Sequence, residues 1–153
     1  MLTMLPAGGL PAEQFVPHEG AISLLDRVLT CDAQSLRASA IIRTDNPFLI
    51  DGVVPASTGL EYMAQAIAAW AGVKAVADAE PIKLGFLVGT RSYVVSSGHF
   101  DLDTVLDIFI NRIMQGNNGL NVFDCDITFA GGHARAKVNV FQPDDIEAYL
   151  GGV

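Results

Sequence analysis

An antiparallel sheet curled around a single long helix, an α+β architecture, is what this 153-residue sequence predicts. Three observations predict it. The run Ala56 to Ala77 is apolar on nearly every side at helical spacing. The segments before and after it alternate apolar and polar residues with a period of two. The breaks between the later segments, Gly116-Asn117-Asn118-Gly119 and Gly131-Gly132, consist of residues that accept positive φ, so the flanking strands are joined by tight turns and run antiparallel.

Taken in order, residues 1–15 form an irregular Pro- and Gly-containing leader. Ile22 to Cys31 and Leu36 to Thr44 read as two strands around the short turn Asp32-Ala33-Gln34-Ser35, the second with Leu36, Ala38, Ala40 and Ile42 on one face and Arg37, Ser39 and Arg43 on the other. A loop from Pro47 to Pro55, with the turn pair Asp51-Gly52 at its middle, feeds the helix, and Asp78 to Pro81 end it. Four strands follow: Ile82 to Ser96, Thr104 to Gln115, Leu120 to Ala130 and His133 to Gln142. The tail Pro143 to Val153 is expected to form a short helix with acidic residues in its first turn. Two strands, one apolar helix and a four-strand meander in one domain, residues 1–153, describe the hotdog arrangement.

Composition narrows the function. Half of the residues are hydrophobic and 17% are charged, which suits one packed globule rather than a disordered chain. The formal charge of −8 and the absence of a basic stripe argue against nucleic acid or anionic lipid as partner. A mean hydropathy of +0.36 without a continuous membrane-length run implies apolar surface that a second subunit would cover. The N-terminal residues lack the basic and apolar regions of an export signal, so a cytoplasmic location is expected. Cys31 and Cys125 stand alone in strand-like segments and read as buried hydrophobes, not as a disulfide or metal ligands.

Within the helical run one residue is out of keeping. Glu61 is an acid among Leu60, Met63, Ala64, Ile67, Ala68 and Ala71 on one side and Ala66, Ala69, Trp70 and Val73 on the other. A buried unpaired carboxylate costs several kcal/mol or more. Glu61 must therefore be partnered, be protonated, or stand at the mouth of a cavity. Thr58-Gly59-Leu60-Glu61 also fits the capping box, in which Thr58 caps the helix and Glu61 reaches back to the Thr58 amide. Spacing alone leaves both readings open.

Longer motifs point further. VPHEGAISLLDRVL (Val16 to Leu29), NPF (Asn46 to Phe48) and GLEYMAQAIAAWAG (Gly59 to Gly72) resemble the hotdog-fold 3-hydroxyacyl-acyl carrier protein dehydratases. GFLVGTRSY (Gly85 to Tyr93) and NVFQPDD (Asn139 to Asp145) are similar in particular to the dehydratase-related proteins of aryl polyene clusters. The resemblance implies removal of water from a 3-hydroxyacyl thioester on the phosphopantetheine arm of an acyl carrier protein, with no other cofactor. Glu61 falls on the family's catalytic carboxyl, and Ala56 and Ser57 on the helix start whose amides hold the thioester oxygen. Tyr62, Trp70, Phe86 and Tyr93 are candidates for lining an acyl tunnel, and Arg91 for meeting the carrier protein or the pantetheine phosphate.

One part of the family pattern is missing. The loop before the helix reads LIDGVVP and lacks the histidine that removes the substrate proton, while Pro55-Ala56 replaces the usual Pro-Gly. His18 matches a histidine of the opening motif and is the in-chain candidate for the base. His99, in a Gly98-His99-Phe100 string after the helix, and His133, beside a Gly-Gly turn, read as surface residues. Because family sites are shared across a dimer, the base is alternatively a histidine of a second hotdog subunit, in a homodimer or heterodimer. Two further readings stand beside this one: an acyl thioesterase whose helix carboxylate activates water, and a non-catalytic subunit that completes a partner's site.

Overall fold

The computed structural model describes residues 5–15, 23–80 and 86–142. Among these residues seven strands form one sheet in the order β1-β2-β3-β7-β8-β9-β5, with every neighbouring pair antiparallel. The strands are β1 (Leu10–Pro11), β2 (Arg27–Cys31), β3 (Ser35–Ile41), β5 (Phe86–Val95), β7 (Val105–Gln115), β8 (Leu120–Phe129) and β9 (Gly132–Phe141). Helix α1 (Gly59–Ala77) lies on its inner face against β3, β7 and β8. The expected hotdog arrangement is thus present, with strand ends shifted by a few residues. The expected helical tail falls outside the described residues.

Alternation in the strands puts the core where the helix needs it. Leu36, Ala38 and Ala40 of β3, Leu106, Ile108 and Ile110 of β7, and Phe123, Cys125 and Ile127 of β8 are all buried and face α1. Register aligns Ala38, Ile108, Ile127 and Ala134 in one cross-strand row, so bulky side chains fill the centre and alanines its flanks. Truncating Ile108 to Ala there removes buried methyl groups and leaves a cavity, a loss of about 2–5 kcal/mol. Trp70 packs edge-on against Phe123, with ring centroids 5.5 Å apart, and donates Nε1 to the Asp32 carbonyl at 3.1 Å. Cys31 and Cys125 are buried and free, as the sequence implies.

Three short strands escape the periodic pattern. β1 is two residues long, and β4 (Val53–Pro55) and β6 (His99–Asp101) form a separate two-stranded ribbon. No alternation can be read in three residues. The Asp51-Gly52 pair makes the expected turn: both residues have positive φ, and Ile50 and Val53 exchange backbone hydrogen bonds of 2.8 and 3.1 Å around it. Asp26 does not pair with its neighbour Arg27. It is ion-paired to Arg43 and accepts the Ile41 amide at 2.7 Å, while Arg27 donates to the Gly8 and Gly9 carbonyls.

The helix is also less enclosed than its composition suggests. Tyr62, Met63, Ala66, Ile67, Ala69, Trp70 and Val73 are buried, whereas Glu61, Ala64, Ala68 and Ala71 form a half-buried stripe and Lys74, Val76 and Ala77 are exposed. Hydropathy cannot distinguish alanine that faces a sheet from alanine at the surface of a single subunit. Among the described residues no helix is long and apolar enough to cross a membrane.

Candidate active site

The chain enters α1 through β4 and a 3-10 turn, Ala56–Thr58. Across the two-stranded ribbon Pro55 faces His99 and Val54 faces Phe100, and the Ala56 amide donates to the Gly98 carbonyl at 3.1 Å. The GHF string is therefore not in a loop remote from the helix, because His99 opens the strand that braces the helix entrance. Its side chain is half exposed, with Nε2 3.1 Å from Asp101 Oδ1. His133 is exposed and tied to Ser96 through its backbone. Neither histidine is bonded to Glu61. His18 lies outside the described residues.

Glu61 is not a capping residue. Thr58 has helical φ and ψ and makes no side-chain cap bond, because the 3-10 turn already carries the chain into the helix. Glu61 is half-buried in the first turn of α1, and its Oε1 accepts a hydrogen bond from Gln65 Nε2 at 3.3 Å. Gln65 is 1% exposed, and its Oε1 accepts the Leu24 amide at 2.8 Å. The second oxygen of Glu61 has no partner among the described residues, which leaves it open to a ligand at the helix start.

The helix start supplies a donor beside it. Thr58 closes the 3-10 turn, Ala56 is bonded to Gly98, and the Ser57 amide has no acceptor among the described residues. Ser57 is exposed and Ala56 buried. A positively polarised helix end with a free N–H suits a developing negative oxygen.

Other predicted site residues fall elsewhere. Tyr62 is fully enclosed, and its hydroxyl accepts a hydrogen bond from Asn46 Nδ2 at 2.9 Å; burial pushes its pKa up. It is a core residue that anchors the NPF loop through Asn46. Phe86 opens β5 opposite Phe141, and its side chain lies outside what is described. Arg91 is exposed on β5 and has no ion pair among the described residues. Sequence reasoning missed Gln65, whose signal was a polar residue one turn after the acid, and it named Tyr93 for an acyl tunnel without its contact to the helix start. A separate hollow of about 600 Å³ lies at the far end of α1, lined by Trp70, Lys74, Asp78, Arg112 and Asn121 among others.

A sheet wrapped on one helix, with a half-buried carboxyl group in the first turn of that helix, defines a hotdog protein. The profile of the ApeP-like family, described as ApeP dehydratase, matches residues 10–151. The chain belongs to this dehydratase family. It is 29% identical to a chain of the dehydratase heterocomplex ApeI:P from Xenorhabdus doucetiae, with a TM-score of 0.83 over 92% of this chain and 96% of that one. A hypothetical thioesterase with coenzyme A from Streptococcus pneumoniae TIGR4 shares the fold at 17% identity and a TM-score of 0.57, covering 76% of this chain and 84% of that one. The PaaI protein of the E. coli phenylacetic acid degradation operon does so at 10% identity and 0.57, covering 77% and 78%. The comparison with curated protein sequences gave no significant match.

Proposed function

We propose that this chain dehydrates 3-hydroxyacyl thioesters carried on an acyl carrier protein, in aryl polyene-type chain synthesis in the cytoplasm, and that a second hotdog subunit completes its site. The observation that carries the reading is Glu61: a half-buried carboxyl at the helix start, four residues after Ser57, with one oxygen held by Gln65 and the other without a partner among the described residues. Elimination needs three groups. A base takes the proton from the carbon next to the thioester, an acid delivers a proton to the departing 3-hydroxyl, and a donor stabilises the enolate oxygen formed between those events. Glu61 serves as the acid, so that the hydroxyl leaves as water, and the Ser57 N–H serves as the donor. The reaction asks for no metal or redox group, and the phosphopantetheine belongs to the substrate.

The base comes from a histidine of the second subunit. Support for that assignment is the histidine-free loop Leu49–Pro55 and the bonding of His99 and His133, which among the described residues goes to Asp101 and Ser96 and not to Glu61. Among the described residues β5 is a ten-residue edge strand hydrogen-bonded to β9 alone, and it exposes Val88 and Val94. Long unpaired edges recruit another strand. The half-buried Ala64, Ala68 and Ala71, in line with Glu61, offer an apolar wall that a partner chain would roof into a tunnel. Exposed Arg91, on the same edge strand, suits the pantetheine phosphate.

The test is reconstitution with a second hotdog chain and a 3-hydroxyacyl carrier protein. Glu61→Gln is expected to lower dehydration at least about a hundredfold while the complex still assembles. A normal rate in that variant overturns the acid role. Release of free thiol from saturated and 3-hydroxyacyl carrier substrates alike would instead establish a thioesterase.

A further inference from the structure

Tyr93 reaches the helix start from the edge strand, and three features deliver it there. The register of β5 against β9 slips between Arg91 and Val94, Ser92 has a positive φ of 48°, and Arg91 and Ser92 are both exposed in succession. Such a bulge re-aims the side chain that follows it. Here it turns Tyr93 inward, and its hydroxyl donates a short hydrogen bond to the Ala56 carbonyl. Gly59 makes room: a Cβ at that position would lie 2.2 Å from the Tyr93 hydroxyl. Burial pushes the Tyr93 pKa up, which keeps the hydroxyl a donor.

The carbonyl that Tyr93 holds belongs to the peptide unit Ala56–Ser57. A trans peptide is planar, with its C=O and N–H pointing in opposite directions. Fixing the Ala56 oxygen on one side therefore fixes the direction of the Ser57 N–H on the other. A hydrogen bond to the carbonyl also polarises the unit and strengthens its N–H as a donor. We propose that Tyr93 is a positioning residue for the thioester oxygen: by anchoring the Ala56 carbonyl it aims and strengthens the Ser57 N–H that receives the enolate charge. Because Tyr93 sits in the edge strand, the same contact links that edge to the chemistry. This inference rests on the dehydratase reading above.

The test uses the assembled complex. Tyr93→Phe keeps the ring and removes the hydroxyl, and is expected to lower kcat about tenfold with KM nearly unchanged, because the lost interaction strengthens as charge develops. The C=O stretch of a bound carbon-13-labelled acyl thioester is expected to move to higher frequency in the variant, a change that a purely structural role would not produce. Gly59→Ala, which displaces the hydroxyl without removing it, is expected to give the same kcat loss, and it reads the contact should Tyr93→Phe fail to fold. The double variant is expected to be no slower than either single one. Unchanged kcat and carbonyl frequency in Tyr93→Phe, or in Gly59→Ala where only that variant folds, overturn the proposal. If Glu61→Gln is inactive in the same assay, the dehydratase reading survives that failure; if Glu61→Gln turns over normally, the reading itself has failed.

Discussion

Gln65 lies one turn along α1 from Glu61 and fixes how that carboxyl group presents itself. The Leu24 amide, in a buried residue, takes Gln65 Oε1 as its acceptor at 2.8 Å, so the Nε2 end of the carboxamide is left to face Glu61, 3.3 Å away. The orientation of the amide thus follows from a backbone bond in another segment, and Glu61 receives a donor on one oxygen only.

Replacing Gln65 with Leu removes both bonds. An unpaired buried N–H at Leu24 costs about 1–3 kcal/mol, which urea unfolding would register. Dehydration should fall about tenfold in the same variant, as the acid loses its fixed rotamer. Loss of stability with undiminished turnover would assign Gln65 to the fold alone.

Gly72 sets two effects against each other. Alanine in a helix interior is favoured over glycine by about 1 kcal/mol. A Cβ at Gly72 would, however, lie 1.9 Å from the Phe15 carbonyl oxygen, a backbone atom that cannot swing aside. Overpacking of this kind costs about 1–3 kcal/mol or more, so steric conflict wins. Gly72→Ala should lower the Tm, and chymotrypsin, which cleaves after aromatic residues, should cut at Phe15 sooner. A raised Tm would show that the leader does not press on the helix.

Asp32 organises the turn between β2 and β3. Its Oδ1 accepts the Gln34 amide at 2.9 Å and the Ser35 amide at 2.7 Å, and these bonds, led by that from Gln34, hold its pKa below the ordinary 3.8. A carboxyl group whose pKa is lower in the folded chain stabilises it above the unfolded value, and that contribution fades as the pH drops through the folded one. Asp32→Ala should therefore destabilise the protein at neutral pH, and the gap between variant and parent should close below pH 3.8. A gap of constant size across that range would remove the carboxylate from the explanation.

Both thiols are shielded. Burial pushes the Cys31 pKa up to about 11, and that of Cys125 higher still. A thiol-reactive probe at pH 8 should label neither residue in the folded chain and both after unfolding, because only the thiolate attacks. Rapid labelling of Cys31 in native protein would mean that the turn after β2 opens.

The sequence by itself determined the elements whose signal is long and periodic. One apolar helical run, alternating strands and glycine turns allow few arrangements, because an apolar helix and half-apolar strands can be buried only against each other. It also singled out Glu61, since a lone acid in an apolar helix is chemically conspicuous. Only the tertiary structure decided what that acid touches. Whether Thr58 caps the helix depends on the 3-10 turn that precedes it, and whether Tyr62 faces a tunnel or the core depends on the rotation of α1 against the sheet. The partnerships of Gln65 with Leu24, of Pro55 with His99 and of Tyr93 with Ala56 span 37 to 44 residues or arise from three-residue strands and a single bulge. Contacts of that range leave no periodicity in the chain. They exist only once the sheet has closed on the helix.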